Sequence, residues 1–152
     1  LGVLTKEFAA KLNRQLFKQE ISNDQVKALI SKINQDGGKA DGAYLDVYQL
    51  GFGNNLSAVP ELVKLSSHVN EYVRLAAISS LGILKAADQA GFLTSLYENS
   101  SLIWQDRAMA LKAIGDMDTP ESRAYLEKQK AQFASRTDKE SVWTREIIAL
   151  YL

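Results

Sequence analysis

Apolar residues recur every three or four positions almost throughout the chain, the period of helices that bury one stripe. Leu4, Phe8, Leu12 and Leu16 predict a first amphipathic helix over residues 4–19. Ser22 and Asn23 follow, short side chains that accept from the free N–H groups of a helix start. They introduce the stripe Val26, Leu29, Ile30 and Ile33 of a second helix, over 22–35, which Asp36-Gly37-Gly38 closes. No stretch alternates apolar and polar residues for long, and the Asp-Gly pairs at 36–37 and 41–42 lie between helical patterns. An all-α chain is therefore expected.

From residue 41 the pattern repeats itself. Tyr72-Val73-Arg74-Leu75-Ala76-Ala77-Ile78-Ser79-Ser80-Leu81-Gly82 returns 33 residues later as Gln105-Asp106-Arg107-Ala108-Met109-Ala110-Leu111-Lys112-Ala113-Ile114-Gly115. In both, an Arg stands eight residues before a Gly. Residues 41–51 fit the same frame without the Arg, and Trp143 to Leu152 fit it with Arg145, stopping where the Gly would fall. Ala at the inner turns lets helices approach closely, Leu and Ile fill the space between them, and the Gly is expected to open the turn into the next helix. Partner helices lie between the frames: Ala58 to Leu65, Gly91 to Tyr97, and one beginning Thr119-Pro120-Glu121, with Thr119 as cap and Pro120 at the first helical position. The predicted unit is a helix–turn–helix recurring every 31 to 38 residues.

This pattern resembles the HEAT family, most closely the short HEAT-like repeats named after the phycobilisome bilin lyases. Val73-Arg74, Ala76-Ala77 and Leu81-Gly82, preceded by Val59-Pro60-Glu61-Leu62, carry the resemblance. Arg107, Ala110, Ile114-Gly115 and Asp118-Thr119-Pro120-Glu121 carry it again. It implies a right-handed α-α superhelix of about four helical hairpins. Residues 1–40 would then hold a capping helix and the first helix of repeat one, and 41–152 the repeats, truncated within the last. Because the chain starts at Leu1 and stops inside a frame, a piece or processed form of a longer chain is expected. In such stacks the second helix of each repeat lines the concave surface.

Composition narrows the chemistry. Hydrophobic residues make up 46% and charged residues 24%, which suits a folded domain rather than a disordered one. Lys plus Arg and Asp plus Glu are 18 each, so the basic excess typical of nucleic-acid binders is absent. Residues 1–40 carry seven basic and four acidic side chains, a mild asymmetry that names no partner. With no Cys and a single His, neither thiolate catalysis nor a multi-histidine metal site can be built, and no cofactor is expected. No apolar run approaches the roughly 18 residues of a membrane span. The compartment is left open, the cytoplasm slightly favoured over a periplasmic or secreted mature form.

Few residues then remain as carriers of function. His68 is read as a loop histidine near the carbonyls at a helix end. Asp116 and Asp118 suit turn and cap geometry, and Gly51-Phe52-Gly53-Asn54-Asn55 lacks the Lys of a phosphate loop and is read as a turn. Arg74, Arg107 and Arg145 share one helical position. They suit either an anion-binding ridge or a structural ladder bonding carbonyls and acids of the adjoining repeat, and the repeat-locked spacing favours the ladder. Tyr44, Tyr48, Tyr72, Leu75, Ser79 and Lys112 are the candidate partner-binding residues on the concave face, while Trp104 and Trp143 are read as packing between repeats. The expected function is a non-catalytic scaffold for a protein partner, with an apolar C-terminal face through which the chain would pair with itself. The resemblance also brings two alternatives. One is a nucleic-acid-binding domain like the HEAT-like DNA glycosylases, against which the zero net charge argues. The other is a lyase-type enzyme, carried by fold analogy alone.

Overall fold

Short polar residues start half of the described helices. In the computed structural model, which describes residues 20–35, 37–38 and 41–152, Ser22 caps α1 (Asn23–Asn34) in a reciprocal box. The Ser22 hydroxyl accepts from the Gln25 N–H at 3.2 Å, and the Gln25 side chain accepts from the Ser22 N–H at 2.7 Å. Gly42, at φ 91°, leads into α2 (Ala43–Phe52). Asn55 caps a single tight turn, Leu56–Ala58, which runs into α3 (Val59–Leu65). Asn70 accepts from the N–H groups of Tyr72 and Val73 at the head of α4 (Glu71–Ile83). A second tight turn, Ala87–Gln89, precedes α5 (Ala90–Glu98), and α6 (Trp104–Met117) follows. Thr119 and Asp138 cap α7 (Pro120–Phe133) and α8 (Lys139–Ile148), with Pro120 opening α7 as the sequence suggests. The described residues are all-helical, without strands. The helix expected from Leu4, Phe8, Leu12 and Leu16 lies outside them.

The even-numbered helices form a continuous series, α2 against α4, α4 against α6, and α6 against α8. The odd-numbered helices flank it, each packed on the even-numbered helix that follows. The core runs along this series. Val47 and Leu50 of α2, Ile78 and Leu81 of α4, Leu111 of α6 and Ile148 of α8 are buried with Leu62, Leu93 and Leu126 of the flanking helices. Each such side chain contributes about 1.5–3 kcal/mol. Helix α4 is the most enclosed, every residue from Ala76 to Gly82 being buried.

The recurring glycines do something other than open turns. Gly51, Gly82 and Gly115 lie inside α2, α4 and α6, with φ angles outside the left-handed region. What they permit is close approach. A Cβ on Gly51 would sit 2.9 Å from the Ser80 Cα, and one on Gly82 2.6 Å from the Ala113 Cα. On Gly115 it would run into the Tyr151 ring. The left-handed turn residue comes three positions later each time, at Asn54 (φ 49°), Lys85 (φ 53°) and Asp118 (φ 50°). The expected glycine turn is thus replaced by a glycine contact followed by a non-glycine turn, because the helix runs past the glycine before it ends.

Candidate functional site

Arg74, Arg107 and Arg145 project from α4, α6 and α8. Arg74 donates from Nε to Asp106 Oδ2 at 2.6 Å and from Nη1 to the His68 carbonyl at 3.1 Å. Arg107 donates from Nε to the Tyr97 carbonyl at 2.9 Å and from Nη1 to Glu140 Oε2 at 3.0 Å. Arg145 donates to the carbonyls of Phe133 and, at 2.7 Å, Arg136. The carbonyls lie at or just beyond the C-terminal ends of α3, α5 and α7, where the backbone lacks internal donors. Both acids lie in the first turn of the next even-numbered helix, where the helix dipole favours negative charge. Each guanidinium is thus engaged in part within the chain, through Nε and Nη1 of Arg74 and Arg107 and through Nη1 of Arg145.

Asp106 is 4% exposed, and among the described residues its Oδ1 is buried without a hydrogen-bond partner. Among the described residues Arg74 is therefore the only side-chain partner of this buried carboxylate, beside the favourable end of the α6 dipole.

The other candidates fall in different places. Tyr44 of α2 and Tyr72 of α4 are exposed, by 37% and 69%, and their rings lie 5.9 Å apart. Tyr48 is half-buried and stacks on Phe52. Leu75 is half-buried, and Ser79 is buried at 5%, so Ser79 does not offer its side chain to a partner as expected. Position 79 shares a helix face with Tyr72, but the second half of α4 is enclosed by its neighbours, so the same face that is open at Tyr72 is covered at Ser79. Lys112 pairs with Asp116 at 2.8 Å, one turn along α6. Asp116 also accepts from the Tyr151 hydroxyl at 2.7 Å, and burial, aided by that carboxylate, pushes the Tyr151 pKa up. Asp118 takes the left-handed turn position and pairs with Arg123 at 2.9 Å.

His68 holds loops together. Its Nδ1 accepts from the Asn70 N–H at 2.9 Å, which leaves Nε2 to donate to the Gly37 carbonyl at 2.6 Å. Gly38, at φ 72°, lies directly on the imidazole. The 51–55 segment is closed by the Ile21 side chain against Gly53 and by the Ile21 N–H donating to the Gly53 carbonyl at 2.9 Å. Among the described residues no three His, Cys, Asp or Glu side chains gather to hold a metal ion, and no helix is long and apolar enough to cross a membrane.

Trp104 and Trp143 stack on each other, ring centroids 5.8 Å apart and planes at 28°. The Arg107 guanidinium lies 5.5 Å from the Trp104 centroid and 6.0 Å from that of Tyr97. The packing assigned to the tryptophans from sequence is thus accompanied by an open groove of about 490 Å³, lined by Trp104, Trp143, Glu146, Ile147 and Leu150. The last three were not singled out from sequence. Their signal is the spacing from Trp143, i+3, i+4 and i+7, one face of a helix.

Compared with models of known protein families and with curated proteins, the sequence matches none.

Proposed function

We propose that the chain is a non-catalytic HEAT-like scaffold. Its hairpins, α1–α2, α3–α4, α5–α6 and α7–α8, stack as a right-handed superhelix whose even-numbered helices line the concave side and bind a protein partner. Three features support the architecture: the unbroken contact series of even-numbered helices, the glycine approach points at Gly51, Gly82 and Gly115, and the arginine that ties each even-numbered helix from α4 onward to its neighbours.

The observation that carries the binding role is the Tyr44–Tyr72 pair. Two large rings from consecutive even-numbered helices stand side by side, one of them 69% exposed, with no core to fill. Exposed tyrosines lose little side-chain entropy on contact and commonly anchor protein interfaces. The engagement of Arg74, Arg107 and Arg145 with carbonyls and carboxylates favours this reading over nucleic-acid binding, which needs free cations along a face.

Affinity purification from source-cell extract, comparing wild type with Tyr44→Ala/Tyr72→Ala, tests the proposal. Tyr48 is left in place because it packs on Phe52. The double variant is expected to melt like wild type and to lose a discrete protein partner. Unchanged capture would sink the tyrosine surface, and nuclease-sensitive nucleic acid in the wild-type eluate would move the assignment to the second reading.

A further inference from the structure

We infer that the groove beside Trp143 binds a polypeptide segment presenting an arginine next to apolar side chains. The inference rests on the chain being a binding module, but not on the tyrosine surface, which lies on α2 and α4 rather than on α6 and α8.

The groove has a composition with one sense of charge. Four of its five lining residues, Trp104, Trp143, Ile147 and Leu150, offer ring or aliphatic surface, and the fifth is Glu146. Among the described residues Glu146 has no ion-pair or hydrogen-bond partner, whereas the nearby Glu140 is already taken by Arg107. Trp143 is 41% exposed and Leu150 46%, so apolar area is open to water beside an uncompensated carboxylate. An indole face attracts a cation through its quadrupole, and a planar guanidinium can stack there while pairing with a carboxylate. The chain already makes this arrangement internally, with Arg107 placed near the Trp104 ring and bonded to Glu140. The exposed side of Trp143 with Glu146 offers the same pair of partners to a group from outside. Ile147 and Leu150 then suit the apolar neighbours of that arginine. A purely apolar segment would leave Glu146 unpaired, and an acidic one would be repelled by it.

Both tryptophans of the chain line the groove, so tryptophan emission, excited selectively over the six tyrosines, reports on this site. The probe is a short, terminally blocked peptide of repeated Leu-Arg-Ala units, compared with versions carrying Gln or Glu in place of Arg. The Arg peptide is expected to give a saturable change in tryptophan emission that weakens with added salt, and the Glu peptide none. Glu146→Gln, an exposed change that leaves the fold alone, should weaken binding about fivefold, the scale of one solvent-facing ion pair. Trp143→Phe, read through Trp104, should weaken it as well. Equal affinity for the Gln and Arg peptides, or no saturable change, overturns the proposal. So does an emission change that follows protein concentration without peptide, since a second copy would then occupy the groove. Tyr44→Ala/Tyr72→Ala should bind the Arg peptide like wild type, so failure of the tyrosine surface and failure of this groove are read separately. Loss of the titration in that variant would overturn the placement on α8.

Discussion

The α4–α6 and α6–α8 junctions share one arginine-to-glycine frame and differ in almost everything that sets their strength. At the first, Arg74 meets an Asp106 side chain that is 5% exposed, and Gly82 lies against the Ala113 backbone. At the second, Arg107 meets a Glu140 side chain that is 51% exposed, and Gly115 lies against the Tyr151 ring near the end of the chain. One junction is backbone against backbone beside a buried ion pair; the other is backbone against an aromatic ring, beside an ion pair whose acid is open to water. The frame sets which residues meet, while burial sets how much each meeting is worth.

The largest difference should come from the arginines. Arg74→Ala leaves Asp106 buried without its counter-charge, and about 3 kcal/mol of stability should be lost in denaturant melts. Replacing both partners, as Arg74→Met with Asp106→Leu, should recover most of that loss. If the double variant is no more stable than the single, the charge account of this junction fails. Arg107→Ala should cost less, about 1–2 kcal/mol, since its acid is exposed and the remainder is one hydrogen bond to the Tyr97 carbonyl and ring contact.

Next come the glycines. Gly82→Ala forces apart two helix backbones, at a cost of about 2 kcal/mol, whereas Gly115→Ala needs only the Tyr151 ring to shift and should cost roughly half as much. Equal thermal shifts for the two would erase the distinction between the junctions. The smallest effect should have the opposite sign. Lys85 holds a left-handed turn at φ 53° just beyond α4, so Lys85→Gly should raise stability by about 0.5–1 kcal/mol. Asp118, at the matching turn beyond α6, tolerates that conformation better and gains less from the same change.

Much of the helical layout could be read directly. The stripe Val26, Leu29, Ile30 and Ile33, the caps at Ser22 and Thr119, and Pro120 at a helix start follow from local rules, and local rules are visible in a single chain. The glycines were visible too, but their purpose was not. A recurrent Gly marks either a backbone angle or a close neighbour, and only the position of Ser80, Ala113 or Tyr151 distinguishes the two. The sites show the same boundary. Nothing in the spacing of Tyr44 and Tyr72 says that their rings meet, because their separation depends on how α2 crosses α4. Ser79 was assigned to the surface through its place in the frame, whereas the enclosure of α4 on both sides puts it inside. The groove on α8 was half legible: Trp143, Glu146, Ile147 and Leu150 form a helical stripe, but stripe spacing alone does not distinguish an open face from a covered one.

The odd-numbered helices α3, α5 and α7 run 7, 9 and 14 residues, while the glycine approach recurs on each of α2, α4 and α6. The even-numbered helices vary too, from 10 to 14 residues, and what stays fixed on their side is the eight-residue step from arginine to glycine in α4 and α6. For engineering, inserted turns, affinity tags or grafted epitopes belong in the odd-numbered helices and their loops, where the chain already accommodates a twofold range. An insertion between an arginine and its glycine would instead move a contact point out of register by a fraction of a turn.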